Sequence, residues 1–269
     1  MRYDTYLGDC LEVMQGIPDG SVDMILSDLP YGVLNRSNQG ARWDERIPME
    51  PLWKEYGRIA KPTAAIILFG QGMFTAELML SNPKMWRYNL IWQKTDRPSG
   101  FLNARRMPLR SHEDVLVFYQ KLPKYNPQMV KCEPHQRNHS RGKNETEVNN
   151  CYGNYRRAEE IITDYKYPKS VLAFPRDSAY HHPTQKPVGL CEWLIRTYTD
   201  MGETVLDSCM GSGTTGVACI NSDRDFIGIE IDPKFYAMAV ERIREAEYVK
   251  SWSIKDITQY ERQEVEVWF

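Results

Sequence analysis

The sequence predicts an α/β fold in which helices cover both faces of a mostly parallel sheet. Short apolar runs bounded by small or polar residues recur along the chain, and helix-length segments lie between them. Runs this continuous are typical of strands buried on both faces, because a half-exposed strand alternates apolar and polar residues. The alternation of strands with helices indicates a doubly wound architecture. The 269 residues suit one large domain or one domain with an insertion.

Five strands are predicted from the runs DTYLGD, SVDMILSD, AAIILFGQ, TVLDSC and DFIGIEID. The helix-length segments are residues 51–59, 74–80, 188–198, 214–220 and 233–244. Two further apolar runs, LIWQK and DVLVFYQK, lie close together near the middle of the chain, and we expect them to add antiparallel strands at an edge of the sheet.

Residues 121–178 depart from this pattern, because they are polar and show little periodicity. A structureless stretch of this length inside a compact domain is normally a functional insertion or a disordered segment. We interpret it as an inserted recognition region. The main domain would then comprise residues 1–120 and 179–250, and residues 251–269 would form a C-terminal extension.

The formal net charge of −2 does not by itself indicate a nucleic-acid binder, but the charges are unevenly distributed. Residues 84–143 hold 13 Lys and Arg against 4 Asp and Glu, a net of +9, whereas the remainder holds 21 and 32, a net of −11. Exposed on the surface, this segment would suit a polyanionic partner. A solvated charged loop is the alternative interpretation.

Neither a membrane helix nor a disulfide framework is indicated. No run approaches the roughly 18 consecutive apolar residues of a membrane span, and the first residues lack the pattern of a secretory signal. The six cysteines are scattered along the chain, which favours reduced thiols. We therefore expect a soluble cytoplasmic protein that does not associate with a membrane.

A glycine-rich turn, DSCMGSGTTGVACI at residues 207–220, follows an apolar run and leads into a predicted helix. Gly211 and Gly213 allow a tight turn and close approach of a ligand. A phosphate-binding NTPase loop is disfavoured because no GKS or GKT follows. Glu230 ends the next strand, where an acid can bind ribose hydroxyls, so an adenosyl group fits. A dinucleotide and a plain strand-to-helix turn remain alternatives, since GSGTTG also satisfies G-x-G-x-x-G.

The stretch SDLPYGV, residues 27–33, lies where a predicted parallel strand ends, and side chains there point into a ligand crevice. Leu29 precedes Pro30 and is biased to an extended backbone, which would hold its carbonyl beside the Asp28 carboxylate. This pair offers two acceptors to one amino group. Tyr31 adds a flat face on which a base could stack. A simple turn after the strand is the alternative interpretation.

Taken together, these motifs resemble the S-adenosylmethionine-dependent DNA amino-methyltransferase family. Asp28-Leu29-Pro30-Tyr31 resembles its catalytic DPPY tetrapeptide, DSCMGSGTTG its cofactor loop, and HPTQKP (residues 182–187) the segment upstream of that loop. The runs GFLNARRMPLR and RSHEDVLVFY resemble intervening segments of phage and bacterial members. The catalytic motif precedes the cofactor loop, as in the permuted, β-type arrangement.

The resemblance implies a Rossmann-like sheet of seven strands in the order 3-2-1-4-5-7-6, with strand 7 antiparallel. TYLGD, MILSD, TVLDS and FIGIE would be strands 3, 4, 1 and 2. The implied catalytic residues are Asp28, Leu29, Pro30 and Tyr31. Cofactor contacts are implied for Asp9, Asp28, Lys186, Asp207, Gly211, Ser212, Gly213, Thr214, Thr215, Glu230 and Asp232. DNA contacts are expected from Arg97, Arg105, Arg106, Arg110, Arg137, Arg141 and Lys143.

The implied activity is methyl transfer from S-adenosylmethionine to N6 of adenine in double-stranded DNA, by direct displacement after base flipping. Leu29 replaces the family's first proline but keeps the carbonyl acceptor, and Asp rather than Ser at position 28 favours adenine. Cytosine-N4 methylation is the first alternative, followed by a non-catalytic nucleic-acid binder and an RNA or small-molecule methyltransferase. A homodimer and a cognate restriction endonuclease are candidate partners.

Weaker patterns surround these motifs. Four potential zinc ligands lie within the polar segment, namely Cys132, His135, His139 and Cys151. Their order is unusual for a structural zinc finger, and we predict no metal. His181 and His182 are interpreted as structural neighbours of the HPTQKP segment. Trp43 could cover a flipped base, although core packing is the general interpretation for the tryptophans.

Overall fold

A computed structural model describes residues 2–33, 44–132, 147–149, 153–155, 164–178 and 185–266. For residues 147–149, 153–155 and 253–266 the description is confined to the backbone.

The strands are β1 (Tyr3–Leu7), β2 (Val22–Ser27), β3 (Ala60–Gly70), β4 (Trp86–Lys94), β5 (His112–Phe118), β6 (Val130–Lys131), β7 (Glu147–Asn149), β8 (Gly153–Tyr155), β9 (Tyr165–Lys166), β10 (Val171–Phe174), β11 (Thr204–Asp207) and β12 (Asp225–Glu230). The α-helices are α1 (Cys10–Val13), α2 (Met49–Ile59), α3 (Met73–Ser81), α4 (Val188–Tyr198), α5 (Thr214–Ser222) and α6 (Pro233–Glu266). Helix α1 was not predicted, because one turn is too short to show periodicity.

The described residues form a central sheet in the order β1-β12-β11-β2-β3-β5-β4-β10. All neighbouring pairs are parallel except those of β5, which runs antiparallel to β3 and to β4. The predicted α/β class with a mostly parallel sheet is confirmed. The first seven positions follow the order that the resemblance implies.

The eighth strand, β10, corrects the expected count of seven strands and the expected position of the sheet edge. It pairs in parallel with β4, so neither β4 nor β5 is an edge strand. Because β5 runs antiparallel to both β3 and β4, β4 is parallel to β3, and of the two runs expected to be antiparallel only β5 is. The indole N–H of Trp92 on β4 donates to the carbonyl of Phe174 at 2.9 Å, which fixes β10 against it. The run VLAF has only four residues inside a polar segment, so its strand pairing depends on the exposed edge of β4.

Two apolar clusters cover the two faces of this sheet. Along β3, Ala65, Ile67 and Phe69 belong to one cluster, whereas Ile66 and Leu68 belong to the other, which is the period of two expected for a strand. Helices α4, α5 and α6 pack on the first face, and α1, α2 and α3 pack on the second. The strands are therefore buried on both sides, as their continuous apolar runs predict.

The strand order places one ligand crevice at a defined point. From β11 the chain continues to β12 on one side, and from β2 it continues to β3 on the other, while β11 and β2 are direct neighbours. In open α/β sheets, such a reversal opens a crevice outside the carboxyl ends of the strands. The glycine-rich turn after β11 and the SDLPYGV stretch after β2 both lie at this crevice edge.

Contacts between backbone atoms divide the chain into two units, and the second is Pro127–Lys169. In this second unit β6 pairs with β9 in antiparallel orientation, and β7 pairs with β8 in the same way. The predicted insertion at 121–178 is wider, because residues 170–178, including β10, belong to the first unit. Its role in recognition stays a prediction. Among the described helices, none combines the length and apolar character needed to span a membrane.

Gly216 on α5 is packed so closely that a side chain there should destabilise the fold. A Cβ atom at this position would lie 2.5 Å from Cδ1 of Ile243 and 2.9 Å from Cε1 of Phe226, both of which are fully buried. We expect Gly216→Ala to lower the free energy of unfolding by about 1–3 kcal/mol because of overpacking.

Gly57→Ala is the matched control for urea denaturation. Gly57 lies on an exposed part of helix α2, and a Cβ atom there would have nothing within 4 Å. This substitution should leave the stability unchanged or raise it by up to about 1 kcal/mol, because Ala has the higher helix propensity. Equal effects of the two substitutions would contradict close packing of α5 against α6.

Candidate active site

A cavity of about 650 Å³ lies at the crevice between the strand ends, and the SDLPYGV stretch and the glycine-rich turn both line it. The volume is within the usual range for small-molecule sites. Residues that follow β1, β2, β3, β11 and β12 contribute to its wall, as does the start of the antiparallel β5. The lining includes Asp9, Asp28, Leu29, Pro30, Tyr31, Gln71, Glu113, Gln185, Lys186, Asp207, Gly211, Ser212, Thr214, Thr215 and Glu230.

The Asp28 carboxylate is at the centre of a hydrogen-bonded group of side chains. Its Oδ2 accepts a hydrogen bond from the Lys186 ammonium at 2.5 Å, and its Oδ1 accepts one from the Tyr31 hydroxyl at 3.2 Å. Only 24% of the Asp28 side chain and 7% of the Lys186 side chain are exposed. The acceptor is thus largely removed from bulk water while it remains on the cavity wall.

Glu113 connects this pair to a second lysine. Its Oε2 lies 3.4 Å from Nζ of Lys186, and its Oε1 accepts a hydrogen bond from Lys94 at 2.5 Å. Two carboxylates and two ammonium groups therefore alternate from Asp28 through Lys186 and Glu113 to Lys94. Alternation of this kind reduces the cost of burying each charge, because every carboxylate has a cation beside it.

The pKa shifts follow from this arrangement. Burial raises the pKa of Asp28, although the Lys186 cation opposes the rise, and the negative charge of Glu113 adds to it. Burial also favours the neutral form of Glu113, but the cations of Lys186 and Lys94 outweigh it, so the pKa of Glu113 is lowered. Lys186 has a raised pKa because its two acidic neighbours outweigh burial. Lys186 therefore stays charged over the whole physiological range.

The stretch Asp28–Tyr31 is held in place by one of its own side chains and by residues that follow it in sequence. The Leu29 side chain is buried in the second apolar cluster, which anchors the turn where the resembled family has proline. Arg46 donates through Nε to the carbonyl of Tyr31 at 2.9 Å, and the Tyr31 ring stacks on Phe74 with centroids 4.6 Å apart. The buried Asp44 accepts from the backbone N–H of Gly32 at 3.0 Å.

The Tyr31 ring is held by neighbouring side chains. Phe74 covers one face of the ring, and the Lys186 ammonium lies 5.9 Å from the ring centroid. The expected stacking of a base on this ring stays a prediction, and Phe74 leaves the opposite face for it. The ring is also fixed by the hydrogen bond between its hydroxyl and Asp28, so it is already ordered and would lose little entropy on stacking.

The cofactor loop adopts the backbone that its glycines predict. Gly211 and Gly213 have φ angles of 51° and 79°, in the left-handed region where residues with a side chain are strained. A Cβ on Gly213 would also lie 3.0 Å from the backbone Cα of Ala239 on α6. Gly213 thus contributes through packing against α6 and does not line the cavity.

Two carboxylates fix the loop from inside. Asp207 accepts from the Thr215 hydroxyl at 2.6 Å and from the Cys209 N–H at 3.1 Å. Glu230 accepts from the N–H of Gly211 at 2.8 Å and from that of Asp232 at 2.9 Å. Burial raises the pKa of Asp207 to about 7, against the effect of these hydrogen bonds, and it raises the pKa of Glu230 as well.

A chain of hydroxyl groups joins the two motifs below the cavity floor. The Ser208 N–H donates to the Ser27 hydroxyl at 2.9 Å, and the Tyr56 hydroxyl lies 2.6 Å from that of Ser208. All three residues are buried. These three residues and Glu113 were not predicted from the sequence. The hydroxyl groups meet because β2 pairs with β11, and Glu113 reaches the cavity because β5 runs antiparallel to its neighbours.

The remaining cofactor expectations have mixed outcomes. Asp9 lines the cavity at the end of β1, where its carboxylate caps α1 by accepting from the Leu11 N–H. Asp232 does not line the cavity, since its Oδ1 accepts from Lys234 and Phe235 at the start of α6. Lys186 lines the cavity and its ammonium contacts the Asp28 carboxylate, so its expected contact with the cofactor stays a prediction.

Residues upstream of Lys186 connect it to the cofactor loop. The Gln185 amide donates to Asp177 at 3.0 Å and accepts from the Ser212 hydroxyl at 3.3 Å. Asp177 also accepts from the backbone N–H of Val188 and so caps α4. The segment that carries Lys186 is therefore fastened at both ends, to the loop on one side and to the helix on the other.

The predicted DNA-binding residues fall into two groups. Arg105 and Arg106 are exposed between β4 and β5, Arg97 lies 3.5 Å from Asp96, and Arg110 donates to Gln71 at 2.7 Å on the cavity wall. Arg137, Arg141 and Lys143 lie outside the described residues, as do Trp43, His135, His139, Cys151, His181 and His182. Cys132 is described and is half-buried.

A family model described as DNA methylase, of the N6/N4 methyltransferase type, matches residues 22–241. This chain belongs to the N6/N4 DNA methyltransferase family. The match contains both the SDLPYGV stretch and the cofactor loop. S-adenosylmethionine is the methyl donor of this family, so the predicted cofactor and the predicted family are both confirmed.

Similar proteins cover most of this methyltransferase. The type II methyltransferase M2.MboI of Moraxella bovis is 26% identical over 270 residues, which cover 91% of this chain and 88% of that protein. The DNA adenine methyltransferase YhdJ of Escherichia coli K12 is 27% identical over 250 residues, which cover 88% and 81% of the two chains.

Solved structures share the fold. The M1.HpyAVI complex with S-adenosylmethionine has a TM-score of 0.58 at 24% identity, covering 90% of this chain and 98% of its own. The cytosine-N4-specific PvuII DNA methyltransferase has a TM-score of 0.63 at 15% identity and covers 92% of each chain. At these identities the likeness supports the fold class and does not distinguish the target base.

The buried Asp207 should make the stability of this methyltransferase depend on pH. Its pKa rises from 3.8 to about 7 on folding, so between these values the folded protein binds a proton that the unfolded chain has lost. Its contribution to the free energy of unfolding therefore falls as the pH rises from about 4 to about 7, by up to about 1.4 kcal/mol per pH unit.

Asp207→Asn removes this titration. Urea denaturation at pH 5, 6 and 7 should therefore show that the free energy of unfolding falls less steeply with pH than it does in the wild type. Asp19→Asn, at an exposed side chain, is the control and should keep the wild-type slope. Identical slopes for all three proteins would mean that Asp207 is ionised throughout.

Proposed function

We propose that this methyltransferase modifies N6 of adenine in double-stranded DNA, with Asp28 as the acceptor of the target amine. The observation that carries the proposal is that the Asp28 carboxylate and the glycine loop of Gly211 line the same cavity. A carboxylate held beside a cofactor site can receive the N–H groups of an exocyclic amine and orient its nitrogen. Direct transfer needs no covalent enzyme intermediate, so none of the cysteines has to act as a nucleophile.

The residues present suit S-adenosylmethionine. The loop backbone at Gly211 has a positive φ angle and leaves open space where a side chain would be, so a ligand can approach it closely. Gly211, Ser212 and Thr214 would contact the amino-acid portion, whereas Glu230 and Asp9 would contact the ribose and the adenine. Bound there, this cofactor supplies a methyl group activated by a positively charged sulfur.

The oxygens of Glu230 retain capacity for this role. The carboxylate accepts from the backbone N–H groups of Gly211 and Asp232 and also interacts with that of Ile231. A carboxylate has about four lone-pair sites, so capacity remains for a ribose hydroxyl. The raised pKa of Glu230 indicates that its charged form is poorly solvated, and hydroxyl donors would stabilise that form.

Residues of this chain would align the target amine and take up the proton that it must lose. The target amine would donate one N–H to Asp28 and one to the Leu29 carbonyl, which favours a tetrahedral nitrogen with its lone pair directed at the methyl carbon. Positioning of this kind accelerates transfer because it lowers the entropic part of the activation barrier. After the N–C bond forms, the nitrogen carries one proton too many, and Asp28 is the base in position to accept it.

Lys186 would set the charge state of Asp28. The ionised carboxylate is the stronger acceptor of N–H groups and the form that can take up a proton, yet burial favours the neutral form. The ammonium at 2.5 Å opposes this effect of burial and favours the ionised form. Glu113 acts in the opposite direction on Asp28 through its own negative charge, while it holds Lys186 in place.

Adenine is favoured over cytosine on two grounds. Asp occupies position 28, and a relative at 27% identity is described as a DNA adenine methyltransferase. Cytosine-N4 methylation stays the alternative, because the PvuII enzyme with that activity shares the fold. A non-catalytic binder is disfavoured because the acceptor group and the cofactor loop are both intact.

The wider biological context is also part of the proposal. M2.MboI is a type II methyltransferase, which supports a restriction-modification role and a cognate endonuclease as a partner. DNA is the substrate class of the family. The homodimer and the recognition role of residues 121–178 stay predictions. Helix α6 runs without a break to Glu266, so the predicted start of a C-terminal extension at residue 251 does not coincide with the end of an element.

Asp28→Asn should reduce methyl transfer by about 10²–10⁴-fold, because the amide is a poor base and donates where the carboxylate accepts. The readout is mass spectrometry of nucleosides from DNA treated with purified protein, which also separates N6-methyladenine from N4-methylcytosine. Calorimetry should find S-adenosylmethionine affinity within about threefold of the wild type. Asp19→Asn is the control for a carboxylate-to-amide change outside the site and should keep full activity. Near-wild-type turnover by Asp28→Asn would remove Asp28 from this role.

Removing the two charges beside Asp28 should shift the pH profile in opposite directions. The ionised carboxylate is the active form, so kcat/KM falls as the pH drops through the pKa of Asp28. Lys186→Met removes a cation and should move this acidic limb to higher pH, whereas Glu113→Gln removes an anion and should move it to lower pH. Shifts in the same direction would contradict the proposed electrostatic role.

A further inference from the structure

An exposed loop between β4 and β5 combines an apolar tip with arginines. We call residues 97–110 the arginine loop. Phe101 and Leu102 at its tip are 77% and 85% exposed, although an aromatic and an aliphatic side chain normally avoid water. A pair of neighbouring large apolar residues so fully exposed on an ordered turn indicates a surface that meets a partner.

The loop backbone holds this tip outward. Ser99 and Arg110 exchange two backbone hydrogen bonds of 2.8 and 2.9 Å, which close the loop at its base. Within it, Gly100 has a φ of 86° and begins the 3₁₀ turn Phe101–Asn103. Further backbone bonds join Asn103 to Gly100 and Arg106 to Asn103. The tip is therefore a hydrogen-bonded turn that exposes the side chains of Phe101 and Leu102.

The positive charge of the loop indicates that its partner is anionic. Residues 97–110 contain four arginines and no Asp or Glu. Arg105 and Arg106 are exposed beside the apolar tip. Arginines flanking an apolar group match a nucleic acid, whose phosphates lie on either side of an apolar base stack. An anionic lipid surface would also attract such a loop, but the position of the loop favours DNA.

That position is the rim of the active-site cavity. Arg110, at the base of the loop, lines the cavity and donates to the side chain of Gln71, which lines it as well. Arg176 holds the other strand of the loop base, because it donates to the Asp96 carboxylate at 3.1 Å and to the carbonyl of Arg97 at 2.6 Å. DNA that delivers a base to the cavity would pass beside this loop.

We propose that Phe101 and Leu102 enter the base stack of duplex DNA and fill the gap that the target nucleotide leaves when it rotates into the cavity. Arg105 and Arg106 then neutralise phosphates beside the gap. The inference rests on the proposed function, since it assumes a flipped target base. Its physical basis is that a vacated stack exposes the faces of two neighbouring bases, and an aromatic ring stacked on them replaces part of the lost stacking.

The test compares paired and pre-opened substrates. The first duplex carries the sequence that the wild-type protein methylates, and the second places the target base opposite an abasic site, where flipping costs less. Phe101→Ser combined with Leu102→Ser should lower kcat/KM by about tenfold or more on the paired duplex and by about twofold or less on the abasic one. Fluorescence of 2-aminopurine at the target position should rise on binding of the wild type and rise less with this variant.

Two further variants make the result specific. Leu122→Ser changes an equally exposed leucine at the opposite end of β5 and should match the wild type on both duplexes. Arg105→Gln combined with Arg106→Gln should weaken binding equally on both duplexes and reduce the slope of log affinity against log salt by about 2.

The outcomes separate this inference from the proposed function. An active wild type with an equal loss on both duplexes, or with no loss, would overturn the role of Phe101 and Leu102. The role would also be overturned if the Phe101→Ser and Leu102→Ser double variant methylated DNA normally but lost binding to vesicles containing phosphatidylserine, because the loop would then be a membrane-binding surface. A wild type that methylates neither duplex would overturn the proposed function itself.

Discussion

The burial of neighbouring charges is the constraint around which this cavity is arranged. Under the proposed function Asp28 receives the hydrogens of an amine most strongly when it is ionised, and burial opposes that state. The ammonium of Lys186 compensates, but a buried ammonium needs an anion of its own, which Glu113 provides together with Asp28. Lys94 in turn neutralises Glu113. The charge of Asp28 is thus accompanied by three further charged side chains, each from a different segment of the chain.

The sheet makes this assembly possible. Parallel strands bring their carboxyl ends to one edge, and the reversal of direction between β11 and β2 leaves a crevice there. The antiparallel β5 starts where the parallel strands end, so Glu113 at its start faces the same crevice. Hydrogen bonds among Ser27, Ser208 and Tyr56 then hold the ends of β2 and β11 together beneath the site. Catalytic and cofactor motifs that lie far apart in sequence meet because of strand order alone.

The cofactor loop illustrates how function and stability share residues. Asp207 and Glu230 are used first to fix the loop backbone, through Thr215, Cys209, Gly211 and Asp232. The conformation offered to a ligand is therefore ordered before any ligand arrives. Preorganisation of this kind reduces the entropy lost on binding. The same logic applies to Tyr31, whose ring is positioned by Phe74 and whose hydroxyl is positioned by Asp28.

Local sequence patterns were sufficient to predict several features of this protein: the five strands, helix α4 at residues 188–198, the positive-φ glycines, and the two motifs that identify the family. Each of these depends on residues close together in the chain, so pattern and backbone preference were sufficient to find them. Tertiary structure decided the rest. Strand β10 exists because β4 offers an edge, and Lys186 meets Asp28 across 158 residues because strand order brings their segments together. Local patterns do not encode which distant charges become neighbours, since that depends on how the whole sheet is assembled.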